Sequence, residues 1–79
     1  MEGLAISPKI EKQIEKIILK ILYEEKSVKS LKILSDKALE KAAIQKITIS
    51  EKTINLIIHQ MNTDDKIEFT QKLGWKIKI

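Results

Sequence analysis

A chain of 79 residues with no cysteine and a formal charge of +4 is a single small domain, without room for a second lobe, a disulfide framework or a thiolate metal site. One histidine cannot build a zinc centre alone, and no apolar run approaches the roughly 18–20 residues of a membrane span. All 15 basic residues are lysine, so the guanidinium fork that reads guanine edges or clamps phosphate in two places is missing, and one each of Phe, Trp and Tyr leave few platforms for stacking unpaired bases.

The opening Met1-Glu2-Gly3-Leu4-Ala5 lacks the basic start of a signal peptide, and a cytoplasmic location is expected. Residues 1–6 read as a loose N-terminal segment ahead of one domain over 7–79. Ser7-Pro8 then signals a helix start, serine as N-cap and proline where its missing N–H costs nothing. The first helix is predicted from about Pro8 to Glu25, burying Ile10, Ile14, Ile17, Ile18, Ile21 and Leu22 at the 3, 4, 7 spacing of one stripe. Leu19 and Tyr23 fall on its outer side. With Leu4 and Ile6 they form either an apolar patch suited to a partner or a homodimer, or a lid that folds back to complete the core.

Residues 27–46 carry a second helical pattern through Val28, Leu31, Leu34, Ala38, Leu39 and Ala42, with Ser35-Asp36 offering a cap inside it. This is one helix, or an extended lead-in from Val28 to Leu34 followed by a helix; the 3.6-residue period favours helix for most of it. Ser50 caps a third helix, with Ile54, Ile57, Ile58 and Met61 inward, ending at Asn62 before Asp64-Asp65. Ile67 and Phe69, then Trp75, Ile77 and Ile79, alternate with polar residues as a hairpin does, joined by Gln71-Lys72-Leu73-Gly74. Trp75 is expected to close the hairpin against the first helix. The predicted class is therefore α+β, three helices followed by a C-terminal two-stranded hairpin.

On the third helix Lys52, Leu56 and His59 lie opposite the buried stripe, flanked by Asn55 and Gln60. Asn55 and Gln60 have the chemistry to read adenine and Lys52 to meet phosphate, whereas Leu56 suits a protein contact. The same face reads equally as a solvated one. Net charge is +1 over 7–26, +3 over 27–46, −2 over 47–65 and +3 over 66–79, so the third helix repels phosphate while the hairpin attracts it. Lys66, Lys76 and Lys78 on the hairpin's outer face and Lys72 at its tip are the candidate phosphate contacts; edge lysines also deter sheet aggregation with no ligand at all. No nucleophile or carboxylate is spaced to act with His59, and neither an enzymatic activity nor a cofactor or metal is expected.

The Ser50-capped third helix, the Asp64-Asp65 break and the strand pair Lys66–Phe69 and Trp75–Ile79 together resemble the winged-helix (winged helix-turn-helix) superfamily. Members that bind duplex DNA insert the third helix in the major groove, which the resemblance places here at Lys52, Thr53, Asn55, Leu56 and His59. Other members are protein-binding modules of replication and transcription assemblies, and the lysine- and isoleucine-rich composition suits an archaeal accessory subunit. The expected function is a non-enzymatic adaptor of a nucleic-acid-processing complex, docking on protein through Leu56 or through Leu19 and Tyr23 and touching duplex DNA weakly. The alternative is a stand-alone dimeric DNA-binding regulator.

Overall fold

The computed structural model describes residues 7–78 and consists of three helices followed by a two-stranded antiparallel sheet, α1 (Pro8–Glu25), α2 (Leu31–Ile44), α3 (Glu51–Thr63), β1 (Ile67–Thr70) and β2 (Gly74–Ile77). Leu4, Ile6 and Ile79, for which the sequence suggested roles, lie outside the described residues. Each helix opens on a serine. Ser7, Ser30 and Ser50 have extended backbones and their hydroxyl oxygens accept from the N–H groups of Ile10, Ile33 and Thr53 at 3.2, 3.1 and 3.1 Å. Such caps satisfy one otherwise unpaired donor each and contribute about 1 kcal/mol apiece.

The cap expected at Ser35-Asp36 is corrected to Ser30. Ser35 is fully buried inside α2, its hydroxyl 3.1 Å from the Lys32 carbonyl oxygen and 3.4 Å from Glu51 Oε2. Lys32 Nζ lies 3.9 Å from the same carboxylate, so the first turn of α3 is tied to the first turns of α2. The lead-in to α2 is extended for a physical reason that lies elsewhere in the chain. Val28 donates to the Trp75 carbonyl at 2.9 Å and accepts from the Trp75 N–H at 2.7 Å, a single antiparallel bridge that makes β2 the middle of the sheet.

Both α2 and α3 end in a left-handed residue that is not glycine. Lys46 has φ 61° and Asp65 φ 62°, and the following amides of Ile47 and Lys66 reach back to Ala42 and Met61 at 2.8 and 2.9 Å, closing Schellman motifs. Thus Asp64-Asp65 does stop α3, one residue beyond Asn62.

The hairpin pairs Ile67 with Ile77, Glu68 with Lys76, Phe69 with Trp75 and Thr70 with Gly74. Its base packs on the helices, β2 against α1 and β1 against α3. Ile14, Ile17, Ile18, Ile21 and Leu22 of α1 meet Leu34, Ala38 and Ala42 of α2 and Ile54, Ile57, Ile58 and Met61 of α3, closed by Val28, Ile67 and Trp75. Each large aliphatic side chain so buried contributes about 1.5–3 kcal/mol relative to exposure.

Candidate protein and nucleic-acid interface

The outward face of α3 carries Lys52, Leu56, His59 and Gln60 as exposed residues. Leu56 is 46% exposed, and His59, one turn later, stands edge-on to the Trp75 ring with centroids 6.1 Å apart and planes at 74°. Across the hairpin Trp75 meets the Phe69 ring at 5.2 Å. Trp75 itself is 6% exposed, whereas Phe69 remains 51% exposed. Leu56, His59 and Phe69 thus form a ridge from α3 onto the sheet, joined beneath by the buried Trp75 ring that His59 and Phe69 contact, with Leu73 exposed at the hairpin turn.

Phe69 is the element of this ridge that alternation misassigns. It shares a face with Ile67, as the two-residue period requires, but two residues of strand carry it about 7 Å farther along the hairpin, beyond the helices that cover Ile67. Trp75 opposite it takes the buried place, and Phe69 lies on top of Trp75.

The hairpin lysines have partners. Lys66 Nζ lies 3.0 Å from Glu15 Oε1 on α1, Lys76 Nζ 2.9 Å from Glu68 Oε2 directly across the sheet, and Lys78 Nζ 3.1 Å from Asp65 Oδ1. The hydrogen bond and charge of Glu15 hold the Lys66 ammonium above the usual lysine range. Solvent reaches at least one partner of each pair and screens the attraction. Together they engage three of the four lysines of residues 66–79, which weakens the positive potential that the segment charge suggested. At the tip Lys72 is in no ion pair among the described residues, and Lys29 Nζ donates to its backbone carbonyl at 3.3 Å, which brings a second cation to the hairpin turn.

Asn55 is half-buried, and its Oδ1 is enclosed with no hydrogen-bond partner among the described residues, so that oxygen is not open to a base edge. Gln60 donates to Asp64 Oδ1 at 3.1 Å, which ties it to the C-terminus of α3. Lys52 and His59 stay exposed, with no side-chain hydrogen bond to another described residue.

On α1, Leu19 is half-buried and packs on the core, while Tyr23 is 72% exposed, with Lys26 Nζ 5.7 Å above its ring. Of the two, one helical turn apart, Tyr23 is the more exposed. Sequence periodicity took Phe69 for an inward-facing strand residue, and Lys72 was a candidate without Lys29, whose approach to the hairpin turn depends on the Val28–Trp75 bridge between residues far apart in sequence.

Among the described residues there is no group of three His, Cys, Asp or Glu placed to hold a metal ion, and no helix is long and apolar enough to cross a membrane. No family model, no curated protein and no solved structure matches the chain.

Proposed function

We propose that this chain is a winged-helix adaptor that docks on a protein of a nucleic-acid-processing assembly, using the ridge Leu56–His59–Trp75–Phe69, and that it touches duplex DNA only weakly. The element order supports the winged-helix reading. What supports it is a first helix, one extended residue bridged to the sheet, two helices and a closing hairpin, an order in which α3 would act as the recognition helix.

The ridge is the observation that carries the docking role. Aromatic side chains with a hydrophobic neighbour are the usual anchors of protein interfaces, and covering the exposed halves of Leu56 and Phe69 supplies about 1 kcal/mol each before complementarity is counted. DNA offers less. A phosphate must compete with Glu15, Glu68 and Asp65 for three hairpin lysines, leaving Lys29, Lys52 and Lys72 as ready contacts. Two or three such contacts give a log–log salt slope of only about −2 to −3, against −5 to −9 for proteins that neutralise 6–10 phosphates.

Two measurements on one preparation test this reading. Duplex DNA titrated at two salt concentrations should bind in the micromolar range or weaker, with no sequence preference. Affinity capture from the native source should recover a nucleic-acid-processing complex with the wild-type chain and lose it with Leu56→Ala. Sub-micromolar preference for one DNA sequence at physiological salt would overturn the adaptor reading in favour of the dimeric regulator.

A further inference from the structure

A second surface lies away from this ridge, where α1 and α2 run antiparallel. Lys37 faces Glu25 at one end of the seam, and Gln45 comes beside Gln13 toward the other. Between them is an open groove of about 470 Å³ lined by Gln13, Lys16, Ile17, Lys20, Lys41, Ile44 and Gln45. Three of these side chains are cations and none is a carboxylate. The acids adjacent to these lysines in sequence, Glu15 and Glu40, do not line it, and none of the three lysines is in an ion pair among the described residues. This distinguishes them from Lys66, Lys76 and Lys78 of the hairpin, which local carboxylates neutralise.

The floor is apolar. Ile17 is buried at the base and Ile44, on the last turn of α2, is 75% exposed, an isoleucine left in water beside unneutralised ammonium groups. A volume of this size accommodates one or two large side chains. Lys16 and Lys20 stand one helical turn apart, a rise of about 6 Å, close to the spacing of carboxylates four apart on a helix or two apart on a strand.

We propose that this groove binds an acidic amphipathic peptide segment of a partner protein, with an apolar side chain seated on Ile17 and Ile44 and flanking carboxylates on Lys16, Lys20 and Lys41. Charge complementarity selects an anionic occupant, and the apolar floor selects among anions. A nucleic-acid backbone meets the lysines but has nothing to cover Ile44. An acidic peptide with a leucine or phenylalanine between its glutamates satisfies both. The amide groups of Gln13 and Gln45 suit the peptide's own N–H and C=O groups.

The test is calorimetric titration of the full chain with a synthetic peptide of glutamates flanking one leucine, alongside the same peptide with that leucine changed to serine and a short DNA duplex. Amide NMR shifts locate each contact. The leucine peptide should bind with shifts centred on Lys16, Lys20 and Ile44, leaving Leu56 and Phe69 unmoved, so the result is independent of docking through the ridge. Lys16→Glu with Lys41→Glu should weaken it at least tenfold, and Ile44→Ser several-fold. All three substituted side chains point at least partly to solvent, and an unchanged circular dichroism spectrum verifies folding. Equal affinity for the serine peptide, shifts confined to the ridge, no binding of the leucine peptide, or tighter binding of the duplex to this groove would each overturn the proposal.

Discussion

Gly74→Ala is the substitution for which the structure gives the sharpest magnitude. Gly74 has φ +89°, and a Cβ there would fall 2.3 Å from the Val28 carbonyl oxygen and 2.6 Å from Lys29 Cα. Both obstacles are backbone, so neither can swing aside as a flexible side chain would. An L-residue held at that φ costs about 1–2 kcal/mol. Relieving the clash moves residues 28–29 away from β2 and breaks the two reciprocal Val28–Trp75 hydrogen bonds, worth about 1 kcal/mol each net. The expected loss is about 3–4 kcal/mol from a chain of 79 residues whose total stability is of the order of 4–12 kcal/mol. In thermal unfolding this is a fall of roughly 12–30 °C. Urea unfolding followed by far-UV circular dichroism measures the loss, and hydrogen exchange at the Val28 and Trp75 amides shows whether the bridge is what fails. A loss below about 1 kcal/mol with both amides still protected would refute the claim that Gly74 is required for the approach of residue 28 to the sheet.

Other perturbations probe the helix ends and the charge pattern. Lys46→Gly should stabilise the chain by up to about 1 kcal/mol, since it relieves a side chain at φ 61° without touching the Schellman hydrogen bonds, and the urea midpoint should rise. Because Glu15 raises the Lys66 pKa on folding, the contribution of this pair is fully present below the usual lysine value and is lost as pH rises through the folded value. An NMR titration of the Lys66 side chain should show its midpoint drop in Glu15→Gln. Lys29→Glu with Lys72→Glu should reduce the magnitude of the DNA salt slope by about 2, whereas Lys76→Glu with Lys78→Glu, whose amines already face Glu68 and Asp65, should change it less.

The helices were legible in the sequence because their signals are local. Ser7-Pro8 and Ser50 sit directly before long aliphatic stripes, and α1 begins and ends where that reading placed it. The start of α2 was not, because Ser30 and Ser35 are both serines ahead of apolar residues, and only tertiary pairing decides between them. Trp75, far along the chain, draws Val28 into an extended conformation, which leaves Ser30 to cap the helix and Ser35 to be buried opposite Glu51. The candidate interface was legible in part. Leu56 and His59 emerged from the helical wheel, while Phe69 looked like a core residue because alternation reports the face of a strand and not how far that face extends over the core. The lysines of the hairpin were correctly counted as charges, but their pairing with Glu15, Glu68 and Asp65 depends on where α1 and the end of α3 lie.

Trp75 has a practical consequence as well as a structural one. It is the single tryptophan of the chain, it is enclosed where α3, the hairpin and residue 28 converge, and its ring is shared with His59 and Phe69. Its intrinsic emission therefore senses solvent at the point that hairpin detachment must alter and that docking on the proposed ridge would alter as well. An unlabelled sample can report the two events optically, by a red shift when the sheet comes away and by a change without that shift when the ridge is covered.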